Sequence, residues 1–134
     1  MSGAALAAAA ERLIGTPFAL HGRDPARGLD CVGLVAAALA AIGRPAVAPL
    51  GYRLRQVRVE GFLGAVVRSG LVAAVGPTRA GDVLLVRPGP AQHHLVIAAT
   101  AGGFVHAHAG LGRVVLTPAP LGWPVDHHWR LAAE

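Results

Sequence analysis

Residues 29–43 read LDCVGLVAAALAAIG, and the spacing of their apolar positions decides how the rest of the chain is read. Leu34, Val35, Ala38, Leu39 and Ile42 form one stripe at helical spacing, the pattern of a helix with one face against a core. Asp30 is a good N-cap, since its short carboxylate can accept from the unpaired N–H groups of a first turn. Gly43 and Pro45 stop the helix. Cys31 therefore falls in the first turn, where orphan N–H groups and the helix dipole favour an anion and lower a thiol pKa. Gly33 leaves room for another segment or a substrate to approach closely. Two readings of Cys31 stand at this point: a buried small hydrophobe, or a nucleophile. A place at the cap suits the second better than a place in mid-stripe would.

Working outward, residues 4–14 (AALAAAAERLI) have apolar positions at helical spacing and stop at Gly15-Thr16-Pro17. FALHGRDPARG, residues 18–28, carries two glycines and a proline and predicts an irregular loop. Residues 59–69 (VEGFLGAVVRS) read as a second helix weakened by two glycines. Beyond them come AGDVLLV (80–86), HHLVIAAT (93–100), FVHAH (104–108), GRVVLTP (112–118) and HHWRL (127–131), separated by glycine and proline turns. The expectation is an α+β fold in which N-terminal helices, the cysteine helix among them, pack on an antiparallel sheet of about five or six strands. A length of 134 residues fits one domain, 1–134.

Pairing HHLVIAAT with FVHAH about a turn near residue 100 places His94 opposite His106. Residues so placed share a sheet face with Cβ atoms about 5 Å apart. His108 falls on that face too, and His93 on the other. Two facing imidazoles suit a thiol: one takes its proton and the other orients the first through the second ring nitrogen. The rival is zinc, because the HH, HAH and HH clusters could supply several imidazoles. Metal hydrolases usually add a carboxylate, and the acids of this half are Asp82, Asp126 and Glu134.

Composition narrows the choice. All twelve basic residues are arginine and the formal net charge is +5, which favours polyanionic partners. The densest basic stretch is YRLRQVR at 52–58, with Arg53, Arg55 and Arg58. Only 4% of residues are aromatic and no binding module accompanies the charge, so the stretch reads as a solvated face and not as a nucleic-acid site. One cysteine excludes an internal disulfide and any zinc site that needs two thiolates. No stretch approaches the roughly 20 apolar residues of a membrane span. The N-terminus lacks the basic region of a secretory signal, so a cytoplasmic origin is expected.

IGTPF, then GLDCVGLV, then AGDVLLV, then HLVIAATAGGFVH in this order resembles the NlpC-type cell-wall peptidases over roughly residues 10–117. The resemblance implies a papain-like fold and cleavage of peptide stems of bacterial peptidoglycan, with no cofactor. It makes Cys31 the nucleophile, His94 the base and His106 the residue that orients it. It also implies a γ-D-glutamyl–diaminopimelate type of stem, whose carboxylates Arg23 and Arg27 would pair. Where relatives commonly carry a tyrosine that polarises the scissile carbonyl, this sequence has Phe18, and His21 is the candidate substitute. Asp30 completes the expected substrate-binding set. The short form resembles phage or prophage tail-associated members, which implies tail proteins as partners and a phage particle or lysis as the route to the wall. The alternatives are another thiol amidase or acyltransferase on the same scaffold, and a non-catalytic tail component.

Overall fold

The computed structural model describes residues 2–44, 68–90 and 92–132. The basic stretch 52–58 and most of the expected helix 59–69 lie outside the described residues. Within them the order is α1 (Gly3–Glu11), β1 (Arg23–Asp24), β2 (Gly28–Leu29), α2 (Cys31–Ala41), β3 (Leu71–Ala73), β4 (Val83–Val86), β5 (His94–Ala98), β6 (Phe104–His108), β7 (Arg113–Thr117) and β8 (Val125–Leu131).

Helix α2 begins and ends where its sequence says it should. The Asp30 side chain accepts from the Gly33 N–H. At the far end Gly43 takes φ 78°, while Arg44 N–H donates to the Leu39 carbonyl and Gly43 N–H to that of Ala40. That pair of bonds is a Schellman closure. Helix α1 is shorter than expected, ending at Glu11. Leu13 and Ile14 donate three residues back, to Ala10 and Glu11, so the chain tightens into turns instead of continuing as α-helix.

The main sheet has six strands in the order β3-β8-β4-β5-β6-β7, and its paired neighbours are antiparallel. Strands β4 to β7 form a meander, and β8 returns to insert between β3 and β4. The helices cover one face: Leu6, Ala9 and Ala10 of α1 and Leu34, Val35, Ala38 and Leu39 of α2 pack with Val83, Leu85, Leu95, Ile97, Val105 and Ala107. The alternate residues Leu84, Val86, Val96, Ala98 and Phe104 form a second cluster on the opposite face, closed by Leu121 and Trp123. Burial on both faces explains why β4 is apolar at every position, VLLV, instead of alternating.

The glycine-rich loop is more regular than its sequence suggests. It contains a small antiparallel ribbon, with Arg23 opposite Leu29 and Asp24 opposite Gly28. Gly22, just before the ribbon, runs over the first turn of α2 so closely that a Cβ on Gly33 would collide with the Gly22 carbonyl oxygen. The close approach foreseen for Gly33 is thus made by the chain itself. Glycine to alanine inside a helix normally stabilises by about 0.5–1 kcal/mol. Gly33→Ala is expected to do the reverse and cost about 1–3 kcal/mol through overpacking. A lower urea midpoint at constant m value reads this out, whereas an unchanged or higher midpoint would remove the contact from the account.

Candidate active site

Asp30 builds the cysteine end of the site. Its side chain is almost fully enclosed and accepts three hydrogen bonds: Gly33 N–H at 2.8 Å, His21 N–H at 2.8 Å and Arg23 Nη1 at 3.1 Å. His21 adopts φ 61° there, a left-handed conformation that costs a non-glycine residue something. The carboxylate therefore ties residues 21–23 to the start of α2 and fixes where Cys31 emerges.

The histidine end comes from β5 and β6. Ile97 faces Val105 and Ala98 faces Phe104, so the hairpin is centred on residue 101, one later than the expected 100. The shift moves the partner by two residues. An even shift leaves each side chain on its own face, so His94 and His106 still meet, along a diagonal. His94 Nε2 lies 2.9 Å from His106 Nδ1, and His106 Nε2 lies 2.7 Å from the Thr117 hydroxyl oxygen of β7.

Cys31, His94, His106 and His108 line one cavity of about 260 Å³ together with Phe18, Leu20, Asp30, Gln92, His93 and Trp123. The structure brings three of the expected catalytic residues, and Phe18 and Asp30, to this cavity. It does not bring His21, Arg23 or Arg27 to the lining. Arg23 is engaged by Asp30 and the Gly22 carbonyl, and Arg27 is largely exposed, 3.9 Å from Asp24. Among the described residues no group of three or more His, Cys, Asp and Glu side chains is placed to hold a metal ion. No described helix is long and apolar enough to cross a membrane.

No family model matches the sequence, and no curated protein does. Solved structures do match. The NlpC/p60 domain of the peptidoglycan hydrolase SagA superposes with a TM-score of 0.64 at 25% identity, over 99% of this chain and 100% of that one. NlpC2 from Trichomonas vaginalis gives a TM-score of 0.69 at 17% identity, over 98% of this chain but only 47% of that one. The peptidoglycan hydrolase RipB from Mycobacterium tuberculosis gives 0.63 at 22% identity, over 98% and 65%. The chain has the NlpC/p60 fold. It spans less than half the length of the Trichomonas vaginalis NlpC1 and NlpC2 chains.

Within this NlpC/p60 frame the electrostatics differ from the sequence expectation. Burial pushes the Cys31 thiol up to about 12, against backbone hydrogen bonds from Leu95, Val32 and Cys31 itself that act to lower it, and the Asp30 charge adds to the rise. The N-terminal amides thus work in the foreseen direction and are outweighed by desolvation. Burial, then the charges of His106 and His108, lower His94 to about 3. Burial and His108 lower His106 to about 4. At neutral pH the site is a thiol beside two neutral imidazoles.

Sequence reasoning missed Thr117 and Trp123. Thr117 gave no signal, because a threonine near a strand end is ordinary. One of two tryptophans, in LGWP between apparent strands, was at least visible as an uncommon residue in a loop.

Two measurements follow from the charge state. Iodoacetamide should alkylate Cys31 in the ligand-free protein at a rate that keeps rising through pH 9, since the thiolate is the reacting form. A plateau below pH 8 would show a resting ion pair instead. Stability should also depend on the imidazoles. Their folded pKa values lie below the unfolded value near 6.5, so the unfolded chain binds more protons and stability is lost as pH falls from about 6.5 toward 4. Asp82 is held below its ordinary value, so its contribution is present across this range and is lost only as pH falls below about 4: burial acts to raise it, but bonds from Arg130, the Arg79 N–H and His128 prevail. Melting temperature from pH 7.5 to 4.5 should fall less steeply in His94→Gln than in wild type, and equal slopes would refute the assignment.

Proposed function

We propose that the chain is a peptidoglycan hydrolase, a cysteine peptidase that cuts an amide bond in wall stem peptides. The observation that carries this is the 2.9 Å bond between His94 and His106, in a cavity shared with Cys31, on a fold whose neighbours include the peptidoglycan hydrolases SagA and RipB. The pattern of donors supports it. If His94 Nε2–H donates to His106 Nδ1 and His106 Nε2–H donates to Thr117 Oγ1, three of the four ring nitrogens of the pair are engaged and the His94 Nδ1 lone pair is left to act as base.

In the ligand-free site His94 is neutral and so offers an unprotonated ring nitrogen. As the scissile carbonyl enters, the Cys31 proton passes to His94 Nδ1 and sulfur bonds the carbonyl carbon. The tetrahedral intermediate collapses when His94 returns the proton to the leaving nitrogen, giving an amine and a Cys31 thioester. Water then attacks with its proton taken by His94, and the thiol leaves with that proton. The backbone N–H of Cys31 is a candidate donor to the oxyanion. A γ-D-glutamyl–diaminopimelate stem is the substrate the sequence resemblance favours. The tail-associated setting rests on that resemblance alone.

The raised thiol, with Phe18 lining the cavity, favours one second reading: a non-catalytic component that keeps the fold. Digestion of purified sacculi, followed by mass spectrometry of the released fragments, separates the two. Wild type should release stem fragments, Cys31→Ala none, and His94→Ala should be slower by about 10²–10⁴-fold. Absence of release by wild type at any pH between 5 and 9 would reject the peptidoglycan-hydrolase reading.

A further inference from the structure

The segment between β7 and β8 carries Trp123 across the face of the sheet opposite the helices. The same face presents His94 and His106. The indole stands 6.1 Å from the His94 ring at 76° and 5.6 Å from the His106 ring at 85°, and the two imidazoles stand 5.0 Å apart at 82°. Three rings are thus packed at nearly right angles, edge to face, an arrangement that aromatic pairs prefer. Trp123 also lines the cavity. A mere wall for substrate needs contact with the cavity; contact with both imidazoles is a further demand.

The physical need is plain. The outer torsion of a histidine is soft and roughly two-fold, so a ring flip exchanges nitrogens for carbons at little intrinsic cost. The bond between the two rings is by itself a modest barrier to a flip, and any water admitted to the pair would compete for the same nitrogens. A rigid indole against both rings blocks both events.

We propose that Trp123 is a positioning residue: it locks His94 and His106 against rotation and keeps water from their shared hydrogen bond, so that the base holds one orientation in the cavity it shares with Cys31. The proposal rests on the reading of Cys31 and His94 as the reacting pair. The other groups that face the imidazoles are Cys31 and Asp30 at the start of α2, His93 before β5 and His108 at the end of β6, with Thr117 on the far nitrogen of His106. His93 is in turn 3.6 Å from Asp126, which Arg87 also binds.

The test compares wild type, Trp123→Leu and Trp123→Phe. Imidazole titrations of the ligand-free proteins are followed by NMR, and kcat and KM are measured on purified stem peptide. Trp123→Leu should move the His94 and His106 midpoints toward the ordinary value of about 6.5. It should lower kcat by about 10²-fold with KM little changed, the effect of a misplaced base. Trp123→Phe should restore most of both. If Trp123→Leu does not fold, Trp123→Met keeps the apolar volume and carries the same expectations. Unmoved midpoints with a rise in KM alone would make Trp123 a substrate contact and overturn the proposal. A shift in midpoints in a protein whose wild type has no hydrolytic activity would sustain the clamp and reject the hydrolase.

Discussion

The buried carboxylate of Asp30 is the constraint on which the site depends. A charge withdrawn from water is tolerable only when its oxygens are fully engaged, and here the partners come from both sides of a junction. Gly33 belongs to the helix, while His21 and Arg23 belong to the loop. Satisfying one group therefore fixes two segments relative to each other. The glycines follow from the same demand, because the loop must cross the helix within contact distance of Gly33. Cys31, the next residue after Asp30, inherits its position from this junction.

Burial then sets the chemistry. Cys31 and Val32 at the helix start and Leu95 of β5 offer backbone donors to the thiol, yet desolvation by burial outweighs them and raises its pKa. The same enclosure keeps His94 and His106 neutral. A neutral pair costs less to hold in a low-dielectric site than an ion pair does. It also leaves the base unprotonated, so proton transfer can wait for a carbonyl that uses the thiolate as it forms.

The two faces of the sheet divide the labour. The helix-covered face supplies the larger core. The other face, with its smaller cluster under Leu121 and Trp123, extends directly into the histidine pair. Far from the cavity, Asp82 binds His128 and Arg130 across β4 and β8, a second buried carboxylate that fixes a strand junction as Asp30 fixes a helix.

The features legible in sequence are those set within a few residues. The α2 cap and its glycine end, the strand segments from residue 80 onward, and the shared face of His94 and His106 depend on local donors and on a period of two. Face survives an even slip of register, which explains why the pair was found although its alignment was off by two. The tertiary structure decided the rest. The sign of the Cys31 shift depends on how much of β5 and the loop is stacked over sulfur, and no local pattern encodes that sum. Arg23 reaches Asp30, seven residues along the chain, because the loop folds back over the start of α2. Thr117 and Trp123 reach the imidazoles from segments that are distant in the chain, so only the folded sheet could bring them there.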